Sequence, residues 1–122
     1  MDIEIWVKKG GRCYYEDELA KLKNKDEHSA RALIERIKSE QKYTREELYK
    51  TQKLKKLRGK NPNNIHELRY NLRKKIARIF IVFWEGKGWM IRLFIKKSEE
   101  TPPSEISLAH QRARDFFNEK NL

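Results

Sequence analysis

The spacing of apolar residues changes character along the chain. In "DIEIWVKKGG", residues 2–11, Ile3, Ile5 and Val7 alternate with Glu4, Trp6 and Lys8, the period of a strand, and the stretch stops at Gly10 and Gly11. From about Tyr15 the period lengthens. Leu19 and Leu22, then Ala30, Leu33, Ile34 and Ile37, recur at helical spacing between charged residues, which predicts two helices packed as a hairpin. Thr44 followed by Glu47 in "TREEL" is a capping-box pattern, so a third short helix is predicted from there toward Leu57. "RGKNPNN", residues 58–64, is a breaker rich in Asn with one Gly and one Pro. Neither side of it is long enough for a comfortable second domain, so it reads as a loop inside one domain covering residues 1–122.

Beyond the loop the pattern is that of strands. "NIHELRY" is short and reads as an edge strand, while "KKIARIFIVFWE" and "GWMIRLFIKK" are rich in β-branched and aromatic residues and flank "EGKG", a hairpin signal. Thr101 is then expected as a helix cap and Pro102 as the first helical residue. Ile106, Ala109, Ala113 and Phe116 fall on one stripe of this closing helix. The predicted order is strand, helical hairpin, three antiparallel strands, helix: an α+β domain.

Composition narrows the function. Lys and Arg number 29 against 18 Asp and Glu, a net charge of +11, which favours a polyanionic partner such as nucleic acid, ribosome or acidic protein. Hydrophobic residues at 38% and aromatics at 11% argue against disorder despite 39% charge. Cys13 is the lone cysteine and cannot form an internal disulfide. No apolar run approaches the ~18 residues of a membrane helix, and the acidic start lacks the basic opening of a signal peptide, so a cytoplasmic address is expected with no membrane partner.

Several chemistries lack their residues. His28, His66 and His110 lie in different predicted elements without a Cys pair or paired-His spacing, so no metal or other cofactor is expected. "GKG" sits in a hairpin and has no following Ser or Thr, unlike a phosphate loop, and no nucleophile motif is present. What remains is cationic. Lys50, Lys53, Lys55, Lys56, Arg58 and Lys60 form a run without an acid, which on a helix and loop would make a basic ridge for phosphate contacts. Arg92, Phe94 and Lys96 share one strand face, as do Arg78 and Phe80 on the neighbouring strand. An unpaired charge is costly in a sealed core, so these cations are expected on a solvent-reached surface, joined by Arg69.

"LKKLRGKNPNNIHELRY", "ARIFIVFW" and "LFIKKSEETPPSEISLAHQRARDF" together resemble the RelE/HigB superfamily of toxins from bacterial and phage toxin-antitoxin modules, in its phage-derived HigB-like branch. The likeness runs from about Leu54 to Phe116, and the segment from "FIKK" through Thr101, Pro102 and Glu105 is its most specific part. The resemblance implies a RelE-like fold: an N-terminal strand and helical hairpin, then a twisted antiparallel sheet and a C-terminal helix. It also implies a toxin that cleaves mRNA on the ribosome without a metal and is neutralised by a small antitoxin, typically of helix-turn-helix type.

Metal-free RNA cleavage needs proton transfer and cations for the developing charge, and arginine suits the second task because its fork bonds two phosphate oxygens. By resemblance, Arg69 in "ELR" and Arg78 in "ARIF" bind phosphate, Lys96 in "FIKK" transfers protons, and Lys97 faces the other way. Arg92 stands where many relatives carry a histidine, and it cannot act as a base at ordinary pH; Lys96 or another group such as Tyr70 is then left with the proton chemistry. The candidate catalytic set is Arg69, Arg78, Arg92 and Lys96, and the candidate RNA-binding set is Lys53, Lys55, Lys56, Arg58, Lys60 and Lys97. Rival readings are a ParE-like toxin acting on DNA gyrase, a ribosome- or RNA-binding module without catalysis, and a structural phage protein.

Overall fold

The computed structural model describes residues 1–96 and 100–121. In chain order the elements are β1 (Ile3–Ile5), α1 (Tyr14–Lys25), α2 (Glu27–Glu40), α3 (Arg45–Lys50), β2 (Leu54–Lys56), β3 (His66–Asn71), β4 (Ile76–Trp84), β5 (Lys87–Lys96) and α4 (Pro103–Lys120). The strands form one sheet in the order β1-β5-β4-β3-β2. The predicted antiparallel core is present as β3, β4 and β5, joined antiparallel at its outer edge by β2. β1 adds to the opposite edge parallel to β5, with Ile5 opposite Met90, so the sheet is mixed and the fold is α+β of RelE type.

Both faces of the sheet are covered, which explains why "IARIFIVFW" reads as nearly continuous apolar sequence. Ile79 and Ile81 pack with Leu33, Ile37 and Leu48 under the α1–α2 hairpin and α3. Phe80 and Val82 pack on the other face with Ala109, Ala113 and Phe116 of α4. Each fully buried Val, Leu, Ile or Phe among them contributes roughly 1.5–3 kcal/mol relative to exposure. At the end of β1 and just beyond it the alternation resolves in favour of the aromatic: Trp6 is buried against Phe116, with its indole N–H donating to Glu119 at 2.9 Å, while Ile5 and Val7 are exposed.

The helix ends follow local chemistry. Asp26 ends α1 and caps α2, accepting the Ser29 backbone N–H at 3.1 Å and the Ser29 hydroxyl at 2.6 Å. Those bonds, with Lys75 at 3.1 Å, hold its carboxyl well below the usual range. The predicted capping box of Thr44 and Glu47 is present. The closing helix starts one residue later than expected, with Pro102 as cap and Pro103 as its first residue.

The third helix does not continue toward Leu57. It ends at Lys50, Gln52 turns the chain with φ of +59°, and the following residues pair with β3 as β2. Strand pairing buries Leu54 opposite Leu68, a tertiary gain that outweighs the helical propensity of the lysine-rich run. The expected helical ridge is thus an edge strand with Lys55 and Lys56 exposed, and β3, expected at an edge, lies inside the sheet. The β4–β5 turn is the predicted hairpin, with Glu85 and Gly86 both at positive φ.

His66 ties α3 to β3. Its Nδ1–H donates to the Asn64 carbonyl at 3.0 Å, leaving Nε2 to accept the Tyr49 hydroxyl at 2.7 Å. Burial lowers its pKa, assisted by Arg45 and Lys56 and opposed by the Asn64 bond. The unfolded chain therefore takes up the proton first, so this contribution to stability is complete above about pH 6.5 and is lost as pH falls below it. Thermal melts between about pH 7.5 and pH 5.5 are expected to show a fall in Tm for the wild type that is smaller for His66→Gln; equal falls would refute this role.

Candidate nucleic-acid interface

Strand register assembles the site. Arg69 of β3 lies directly opposite Arg78 of β4, Arg78 opposite Phe94 of β5, and Lys96 opposite Ile76. Lys55 of β2 lies opposite Glu67. Pleating puts these residues on the face that carries α4, at the end of the sheet beyond the start of that helix. Lys55, Glu67, Arg69, Arg78 and Lys96 line a cleft of about 480 Å³ with Lys56, Arg58, Glu100, Thr101 and Ile106. Among the described residues, six cationic side chains there face two carboxylates, so the cleft attracts anions.

Two guanidinium groups opposite each other on neighbouring strands are an unfavourable pair unless something anionic relieves them. Glu67 does so on one side: its carboxylate lies 3.3 Å from Arg78 Nη1, and both side chains are largely buried. Arg78 is only 5% exposed, so it belongs to the floor of the cleft, with Glu67 holding it in place. Arg69 is more open, and its buried Nε has no hydrogen-bond partner among the described residues. The arrangement is a preformed fork of positive charge that an incoming phosphate oxygen would satisfy.

Of the ten candidate residues, Arg69, Arg78, Lys96, Lys55, Lys56 and Arg58 come together in this cleft. Lys53 does not: it pairs with Glu40 at 2.9 Å and stands over the Tyr43 ring. Lys60 lines a separate cleft of about 340 Å³ with Pro62, Ser107, His110 and Arg114. Lys97 lies outside the described residues. Arg92 points away from the cleft into an ion-pair network, giving its Nε and Nη2 to the two oxygens of Glu105 at 2.8 Å each and its Nη1 to Glu18. Burial disfavours its charge, yet Glu105 and Glu18 outweigh that and raise its pKa.

Tyr70 is also elsewhere. It alternates to the opposite sheet face and is 3% exposed in the core beneath the helical hairpin, where burial raises the pKa of its hydroxyl. It cannot protonate a leaving group in the cleft. Glu67 went unnoticed in the sequence beyond its place in "ELR", although strand parity with Arg69 was signal enough to put it on the same face. Glu18, which accepts from Arg92 and the Leu93 N–H, and Arg112, which donates to Glu18 and the Ile91 carbonyl, gave no local signal at all.

No helix among the described residues is long and apolar enough to cross a membrane. The family model described as phage derived protein Gp49-like (DUF891) matches residues 17–114, from α1 into α4, and so includes every wall of the cleft. No curated protein matches the chain. With a match over most of its length, this chain belongs to the Gp49-like family of phage-derived proteins, a RelE-like toxin family.

Proposed function

We propose that the chain is the toxin of a type II toxin-antitoxin module, of the HigB-like branch, and acts as a metal-independent endoribonuclease on mRNA engaged with the ribosome. The observation that carries this reading is the Arg69–Arg78 pair beside Lys96 in a cleft open to solvent. In the proposed reaction the ribose 2′-OH attacks the adjacent phosphorus and its proton passes to solvent. The bond to the 5′-oxygen breaks, leaving a 2′,3′-cyclic phosphate and a 5′-hydroxyl. Arg69 and Arg78 bind the non-bridging oxygens, where charge grows in the transition state, and the Lys96 ammonium gives its proton to the departing 5′-oxygen. Lys55, Lys56 and Arg58 line the cleft and engage flanking phosphates. A small helix-turn-helix antitoxin would silence the toxin by covering the cationic face.

Inducible expression in a bacterial host, with transcript 5′ ends mapped soon after induction, tests this. New ends inside translated reading frames, absent for Arg69→Ala/Lys96→Ala, are expected. Growth arrest without new ends would transfer the reading to gyrase inhibition or to ribosome binding without cleavage, which the exposed edge formed by Lys55, Lys56 and Arg58 also favours. Absence of arrest would overturn the toxin assignment for this chain.

A further inference from the structure

A second and larger cleft, of about 630 Å³, adjoins the first. Lys96 lines both. Its other basic walls come from distant parts of the chain: Lys21 and Lys25, four residues apart on one side of α1, and Lys74 and Lys75 in the turn between β3 and β4. β1 pairs with β5 only as far as Met90, and side chains take over from there. Glu18 accepts the Leu93 N–H at 2.9 Å and Arg112 donates to the Ile91 carbonyl at 2.9 Å.

That capping also sets the charge of the cleft. Glu18 is consumed by Arg92, Arg112 and the Leu93 N–H, and Glu105 is held by Nε and Nη2 of Arg92. Lys75 is paired with Asp26. The exposed Lys21, Lys25 and Lys74 are therefore set over a wall whose acids are already neutralised. Lysines on flexible stems are point charges that follow a phosphodiester chain without demanding one geometry, unlike the paired arginines next door.

We propose that this second cleft binds the nucleotides adjoining the cleaved bond, so that one single-stranded RNA runs through both clefts across Lys96. The inference rests on the ribonuclease reading above and adds to it a path and a footprint for the strand. The first cleft, with its guanidinium pair, handles the reacting phosphate. The second contributes affinity without reading sequence, because the charges it exposes, at Lys21, Lys25 and Lys74, are aliphatic ammonium groups suited to phosphates.

The test uses the full chain and 2′-O-methylated single-stranded RNAs, which cannot be cleaved, of about four and about ten nucleotides, both within the ~4–16 nucleotides of single-strand binding sites. Binding is read by fluorescence anisotropy across a salt series for the wild type and for Lys21→Gln/Lys25→Gln/Lys74→Gln. All three positions are exposed, so an unchanged melting temperature is expected for the variant. The variant should bind the longer RNA about tenfold more weakly at low salt, with a log–log salt slope shallower by about 2, three phosphates at ~0.7 each. Its affinity for the shorter RNA should be unchanged.

Equal affinity of wild type and variant for the longer RNA would overturn the proposal, as would a wild type that binds both lengths alike. So would loss of poly-glutamate binding in the variant with RNA binding intact, which would mark the cleft as a docking surface for an acidic protein. Failure of the wild type to bind either RNA would overturn the ribonuclease reading as well.

Discussion

Replacing Glu18 by alanine is expected to destabilise the fold by about 3–5 kcal/mol, the usual cost of removing one partner from a buried ion pair. Glu18 is 9% exposed and serves three donors on two other elements: the guanidinium of Arg92, that of Arg112 at 2.9 Å, and the Leu93 N–H at 2.9 Å. Its removal leaves two arginines facing each other around an unsatisfied strand edge. At roughly 3–6 °C per kcal/mol for a chain of this size, Tm should drop by more than about 10 °C. Glu18→Gln, which retains an acceptor for Leu93 but not the charge, should cost less. Denaturant midpoints for the two variants decide the matter, and a Glu18→Ala protein within about 1 kcal/mol of wild type would sink it.

The same reasoning separates Arg92 from the catalytic set. Arg92→Ala should lose stability in the way Glu18→Ala does, because it strips Glu18 and Glu105 of their shared cation. Where the variant is still folded, at low temperature, RNA cleavage should be close to wild type. The resemblance singles out position 92 because many relatives carry a histidine before "FIKK", and that carries no information on which carboxylates fold back onto a side chain. The bulge at Phe80/Ile81 brings Arg92 opposite Phe80, and α1 and α4 each supply an acid.

What the sequence made legible was what is written locally. The capping box, the β4–β5 hairpin, the stripe of α4 and the period of the helical hairpin each depend on residues within a few positions of one another, and each is present. β2 was missed because its reason for being extended is Leu68, fourteen positions further on, whereas its own lysines favour a helix. Parity along strands was enough to gather Arg69, Arg78 and Lys96 onto one face. It was not enough to show that Arg78 is floor and Arg69 is wall, since that difference depends on Glu67 and on what covers the face.

That difference sets the second large effect. Arg69→Ala should lower cleavage by about 10²–10³, the range found when one donor to a developing negative charge is removed, with little loss of stability. Relief of the opposed arginines should offset part of that loss, by ~0.2–1 kcal/mol. Arg78→Ala should lower cleavage by a similar factor and also destabilise by about 3 kcal/mol, because the buried Glu67 loses the guanidinium it is paired with. Glu67→Ala/Arg78→Ala then discriminates: removing both partners should restore most of the stability and none of the cleavage. Single-turnover cleavage and urea melts on the four proteins give the comparison. A double variant that recovers activity together with stability would mean that Arg78 acts only through the fold, and Arg69 alone would remain as the phosphate-binding arginine of the cleft.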